Sequence, residues 1–235
     1  MKKRFLAVVF YTLMMAVPRV HAESEVRKLE PFSEISLRVS ANLFIEQGEG
    51  SQVEITAKQE TLDKIIIEVT NHKLVIRYSI EDMLFSNFDP GKVTIKVTTS
   101  DVEMLSVAGS GNIIAEKTIN TRIIELFIAG SGNIKLSDLI CERMEAEITG
   151  SGDIVVSGSE KVKEIKLLIA GSGNLKANQL KADYGKIRIA GSGNCDIDIS
   201  ELLDAKILGS GNIRYEGNPT IDSMISGSGK IQKIQ

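Results

Sequence analysis

Seven Gly-Ser-Gly triplets run through the second half of the chain, starting at Gly109, Gly130, Gly150, Gly171, Gly191, Gly209 and Gly227. The intervals are 21, 20, 21, 20, 18 and 18 residues. A fixed period of this length marks a stacked-repeat architecture, in which each repeat buries its apolar side only against its neighbours. The flanks repeat too. Two residues before each first glycine stands Val107, Ile128, Ile148, Ile169, Ile189, Ile207 or Ile225. The triplet is followed by Asn112, Asn133, Asp153, Asn174, Asn194, Asn212 or Lys230, and then by another small or aliphatic side chain (Ile113, Ile134, Ile154, Leu175, Cys195, Ile213, Ile231).

Runs such as Lys186-Ile187-Arg188-Ile189 alternate polar and apolar side chains, the period of a half-buried strand. Gly-Ser-Gly then reads as a tight corner, because glycine takes positive φ and lets backbones approach closely. A strand–helix–strand crossover needs roughly 30 residues or more, so the period suits one coil of a β-helix. Coils would stack about 4.8 Å apart, and seven would span roughly 30 Å. The two aliphatic columns should fill the interior. The asparagines should form a ladder at the corner, each amide bonding to the one above and below.

The first 22 residues read as a secretory leader. Lys2, Lys3 and Arg4 precede the apolar stretch Phe5–Val17, and Val20-His21-Ala22 is a small-x-small cleavage signal. Removing it takes away Lys2, Lys3, Arg4 and Arg19 and leaves 24 basic against 31 acidic residues, a balance of −7. That balance argues against a nucleic-acid or anionic-membrane partner. No other apolar stretch is long enough for a helical membrane span. Residues 23–34 read as a polar lead-in, and residues 35–235 as the β-helix, with regular coils from about residue 107.

Between Ile35 and Ser106 the strands continue without the triplet. The patterning predicts strands at Ile35–Val39, Leu43–Gln47, Gln52–Ala57, Ile65–Val69, Lys73–Tyr78, Lys92–Val97 and Glu103–Val107. This part should form irregular coils or a small β layer that begins and caps the stack. Val39-Ser40-Ala41-Asn42-Leu43 is a shortened echo of the corner. The loop Ile80–Gly91 carries Phe85 and Phe88, a candidate contact patch or a plug against the solenoid. At the other end, Lys230 replaces asparagine in the final tetrad. Lysine blunts strand edges, and the expectation is a monomer or a weak dimer through that end.

No chemistry declares itself. Gly-Ser-Gly-Asn lacks the Gly-Lys-Ser/Thr of a phosphate loop, and no helix follows for a dinucleotide fingerprint. Only Asp153 puts a carboxylate in the tetrad column, too few for a calcium ladder. Asp196, Asp198 and Asp204 read as a solvated face. One histidine, His72, follows the leader, so no nucleophile–base pair and no transition-metal cluster can be assembled. Neither a cofactor nor catalysis is expected. Cys141 and Cys195 should lie about three coils, or roughly 14 Å, apart, beyond disulfide reach. Lys166, Lys186, Arg188 and Arg214 leave open a polysaccharide-active β-helix enzyme, whose cations would line an outer groove.

The order Pro31-Phe32-Ser33-Glu34-Ile35, Val39–Gln47 closing at Gly48, Val53–Ala57, Leu62–Tyr78 and then repeated Gly-Ser-Gly-Asn-Ile units resembles the bacterial GIN-domain family, the auto-transporter adhesin head domain frequent in Bacteroidetes. The resemblance covers roughly residues 30–233. It implies an all-β fold, one chain wound as a right-handed parallel β-helix, in a secreted or cell-envelope protein. It transfers no catalytic or ligand residue, and the chain carries no translocator barrel of its own. The resulting expectation is a non-catalytic, adhesin-like module that meets a protein or glycan at the cell surface. A polysaccharide-active enzyme and an envelope scaffold polymerising end to end are the alternatives.

Overall fold

The computed structural model describes residues 23–79 and 89–234. The expected leader at residues 1–22, and Phe85 and Phe88, lie outside the described residues. The chain is an all-β, mostly parallel solenoid, with a mixed portion at its amino-terminal end.

One regular coil shows how the sequence builds it. Strand β10 (Ile123–Gly130) runs into a corner at Ser131 and Gly132, and β11 (Asn133–Ile140) runs out of it. A turn at Cys141 and Glu142 leads to β12 (Arg143–Gly150), directly beside β10 and parallel to it. Ile128 therefore faces Ile148, and Gly130 faces Gly150. The same register carries through β14 (Val162–Gly171), β15 (Asn174–Gly191), β16 (Asn194–Gly209) and β18 (Thr220–Gly227). The segments running into the corners form an entry wall. The segments leaving them, including β9 (Asn112–Asn120), β13 (Asp153–Ser157), β17 (Asn212–Glu216) and β19 (Lys230–Lys233), form an exit wall.

Between the walls lie the two aliphatic columns. Val107, Ile128, Ile148, Ile169, Ile189 and Ile207 are at most 2% exposed, and Ile113, Ile134, Ile154, Leu175, Cys195 and Ile213 at most 1%. Each such side chain contributes about 1.5–3 kcal/mol by leaving water. The cysteines are both free and buried.

The corners depend on glycine for two separate reasons. Gly130 sits at φ +131°, where a side chain is strained. Gly152 has no room: a Cβ there would meet the Gly132 carbonyl oxygen at 2.1 Å and Ile128 Cγ2 at 2.7 Å. The freed space is used by the backbone, since Ser131 and Gly132 both donate to the Gly109 carbonyl at 2.9 Å. Beside it runs the amide ladder. Asn133 Nδ2 donates to Asn112 Oδ1 at 2.8 Å, Asn194 to Asn174 at 2.9 Å and Asn212 to Asn194 at 3.0 Å. Asp153 has no amide to donate. Its backbone N–H bonds Asn133 Oδ1 instead, and its carboxylate accepts from Asn174 Nδ2 at 2.7 Å.

The amino-terminal portion combines both expected forms, a coil and a separate layer. Strands β2 (Glu34–Leu37) and β3 (Asn42–Gln47) make one more coil, lying parallel to β8 (Met104–Gly109) and β9. The ladder reaches it, with Asn112 Nδ2 donating to Asn42 Oδ1 at 2.8 Å across 70 residues of chain. The intervening chain makes an excursion. Strands β6 (Lys73–Tyr78) and β7 (Thr94–Thr99) extend the two walls in parallel, and β5 (Ile65–Thr70) and β4 (Gln52–Ala57) then add antiparallel. Two features differ from the sequence expectation. The lead-in contains a strand, β1 (Glu23–Lys28), held antiparallel on β4 although Val26 is its one apolar side chain. A one-turn helix, α1 (Gln59–Leu62), buries Thr61 and Leu62. Edge pairing through the backbone needs no apolar pattern, and one helical turn carries no periodicity, so neither leaves a mark in the sequence.

Candidate contact surface

Side chains that point away from the core form columns on the outer wall surfaces. On the entry wall one column runs Ser106, Phe127, Glu147, Leu168, Arg188, Lys206, Met224. Its neighbour runs Ala108, Ala129, Thr149, Ala170, Ala190, Leu208, Ser226. Among the described residues the large apolar side chains left exposed are Val26, Leu168, Tyr184, Leu202, Leu208, Ile221, Met224 and Ile225. All but Val26 belong to the entry wall of the last four coils. Lys186, Arg188, Asp204 and Lys206 stand between Tyr184 and Leu202 on one side and Leu168, Leu208 and Met224 on the other, so the wall gathers apolar side chains among charged ones. Such gathering, unlike single scattered residues, marks an interaction site.

Sequence reasoning missed this surface, yet it left a trace. Leu168 lies between Leu167 and Ile169, and Leu208 follows Ile207. At both places the strict alternation breaks and an outward position carries leucine, exposed at 42% and 64% respectively.

The basic residues singled out in the sequence are placed and largely neutralised. Lys166 bonds Glu145 at 2.9 Å and lies 3.7 Å from Glu164. The Glu145 bond holds the lysine above its ordinary pKa. Arg188 meets Asp204 at 2.5 Å, and that bond depresses the Asp204 carboxyl. Arg214 pairs with Asp196 at 2.6 Å on the exit wall. Asp196 and Asp198 thus lie on one wall and Asp204 on the other, and the three form no shared site. Among the described residues no group of three or more His, Cys, Asp or Glu side chains could hold a metal ion.

A depression of about 460 Å³ lies near the first regular coil between Glu34, Asp101, Glu103, Arg122 and Glu125. Two of its acids are engaged, Glu34 with Lys73 at 3.6 Å and Glu103 with the Ser33 hydroxyl at 2.8 Å. A shallower one, about 280 Å³, lies on the entry wall between Phe127, Glu147, Lys166, Leu168 and Arg188. It falls below the roughly 300–1,000 Å³ of small-molecule sites and suits a flat contact. His72 sits in the β5–β6 turn at φ +63°, with Nδ1 3.4 Å from the Pro31 carbonyl oxygen. Burial pushes the Cys141 thiol up to about 12 and raises that of Cys195, so neither is a ready nucleophile. The seven triplet serines are exposed in a single column. No helix among the described residues is long and apolar enough to cross a membrane.

Solved structures share this architecture. A "putative adhesin" from Bacteroides fragilis superimposes with a TM-score of 0.86 at 24% identity, over 92% of this chain and 99% of that one. A "Putative lipid binding protein" from Parabacteroides distasonis gives 0.74 at 27% identity, over 92% and 98%. A "putative adhesin" from the same species gives 0.72 at 23%, again over 92% and 98%. No curated protein matches the chain. The family model described as "Putative auto-transporter adhesin, head GIN domain" matches residues 31–219, which takes in both the amino-terminal coil and the regular corners, and the chain belongs to that family.

Proposed function

We propose that this chain is a non-catalytic, exported binding module of the cell envelope or surface, which meets its partner through the outer entry wall of its last four coils. The observation that carries the reading is the concentration of exposed Leu168, Tyr184, Leu202, Leu208 and Met224 on that wall. A β-solenoid wall is flat and long, and it offers area rather than a pocket. Protein or glycan partners suit such a surface. The absence of tryptophan weighs toward protein, because sugar stacking relies on aromatic rings. Export is supported by the leader-like residues 1–22 and by the adhesin description of the family. The polysaccharide-active alternative draws less support, since Lys166, Arg188 and Arg214 are each tied to a carboxylate.

A second reading is contact with lipid. It is favoured by the aliphatic character of the exposed set and by the likeness to a protein described as lipid binding. A single experiment separates the readings. Residues 23–235 are applied to arrays of glycans and matrix proteins and to zwitterionic vesicles, and turnover of each bound glycan is followed. The double variant Leu168→Glu/Leu202→Glu is run beside the parent. Binding without turnover that the variant loses supports the adhesin-like module. Vesicle binding alone transfers support to the lipid reading, and glycan turnover overturns the non-catalytic one.

A further inference from the structure

The two ends of the solenoid are finished differently. At the amino-terminal end β8 is extended on the entry wall by β2, β6 and β5, and β9 on the exit wall by β3, β7, β4 and β1. Among the described residues that end is therefore uneven by one strand. Its outermost strand carries Glu23, Glu25, Arg27 and Lys28, and charge of this kind discourages edge pairing. At the other end, among the described residues, β18 pairs only with β16, and β19 only with β17. The exit-wall edge is guarded by Lys230 and Lys233, the latter anchored to Asn218 Oδ1 at 2.5 Å. The entry-wall edge has no such guard. Strand β18 is exposed along its whole length and holds a single charge, Asp222. Its inward positions Ile221, Ser223 and Ile225 continue the buried columns of Leu203, Ala205 and Ile207, yet Ile221 and Ile225 are 39% and 42% exposed.

We infer that β18 is a self-complementary edge that pairs antiparallel with β18 of a second copy, about a two-fold axis at Ser223. Residues directly opposite in an antiparallel pair point to the same side of the sheet. With the axis at Ser223, Ile221 stands opposite the second copy's Ile225, and both half-open ends of the core close. Asp222 then stands opposite Met224. Shifting the axis to residue 222 would oppose two Asp222 carboxylates, and shifting it to 224 would oppose Ile221 with Gly227. A two-fold contact closes on itself. Head-to-tail growth is disfavoured, because the uneven amino-terminal end cannot meet both walls of a level one. The same axis brings the two β19 edges together on the exit wall, where Lys230 and Lys233 keep them from pairing, so the contact is one strand long and the dimer is weak. It sets the two entry walls side by side in one plane and so doubles whatever surface that wall presents. The inference stands independently of what binds there.

The test uses residues 23–235. Sedimentation velocity over a concentration series should show reversible dimers. Ser223→Cys should form a dimer-sized disulfide product under mild oxidation, since opposed Cβ atoms lie about 4.5–5.5 Å apart, while the parent, with its two buried thiols, should not. Ile225→Lys should weaken the dimer by at least about tenfold, the effect of roughly 1.4 kcal/mol, with an unchanged circular dichroism spectrum. A strictly monomeric parent overturns the inference. So does a dimer that ignores Ile225→Lys and in which the Ser223→Cys variant fails to crosslink, because its interface then lies elsewhere.

Discussion

The regular coils and the amino-terminal portion bury the same kind of core by different means. In the coils each strand meets its equivalent 18–21 residues away, so a single corner solution is copied seven times. In the amino-terminal portion the equivalent of Asn112 is Asn42, and the chain between them leaves the stack, builds β4 to β7 and α1, and returns. Repetition makes the coils intolerant at the corner, where each backbone touches the next. The excursion relies on ordinary turns such as Asn71-His72, both at positive φ, and has no column of backbone contacts to protect.

The largest expected effect that tests this contrast is at a mid-stack corner. Gly152→Ala places a methyl group 2.1 Å from a carbonyl oxygen of the preceding coil, and should cost at least about 3 kcal/mol. Gly48→Ala meets only Thr98 Cγ2 at 3.6 Å and should cost less than about 1 kcal/mol. Urea unfolding followed by circular dichroism checks both, and equal losses would dissolve the distinction. Core truncation should erase the contrast instead. Ile148→Ala and Ile95→Ala both remove fully buried side chains, and each should cost about 2–5 kcal/mol in the same assay.

The ladder gives a smaller and graded effect. Asn174 donates to Asp153 and accepts from both the backbone and the side chain of Asn194, so Asn174→Ala should cost about 1–3 kcal/mol. Asn42, at the end of the ladder, serves one partner amide, and Asn42→Ala should cost no more than about 1 kcal/mol. The smallest effect is electrostatic. Arg188 holds the Asp204 carboxyl below its ordinary value. A depressed carboxyl contributes stability that is present above the unfolded value near 3.9 and is lost as pH falls through the folded value. Arg188→Ala should therefore make stability less dependent on pH below about 4, with a change at neutral pH under about 1 kcal/mol, as for exposed ion pairs. Thermal melts from about pH 2.5 to 7, spanning the carboxylate range, would read it.

Much of the fold was legible because periodicity is a direct projection of stacking. The triplet interval gives the coil length, and the aliphatic neighbours of each triplet give the columns. The seven strands expected between Ile35 and Ser106 match β2 to β8 within a few residues, since their alternation survives without the corner. The neighbours of each strand there were not legible. Whether β4 lies beside β3 or beside β7 depends on contacts between chain segments some 40 residues apart, which local pattern does not encode. The contact surface was only half legible. Leu168 and Leu208 break the alternation in plain view. That they share one wall with Tyr184 and Leu202 follows only once the register aligns the coils.

That register has a consequence for how such a molecule changes length. Residues 131–150 begin just after one first glycine and end on the next, so excising them joins Gly130 to Ser151 and rebuilds an intact Gly-Ser-Gly corner. Every column above the junction slides down by one step and meets a chemically equivalent neighbour. A duplication of the same block lengthens the stack just as smoothly, whereas a cut one residue longer or shorter turns every inward side chain next to the junction outward. The chain behaves as a ruler graduated in coils, and its reach can be altered in increments of about 4.8 Å without redesigning either end.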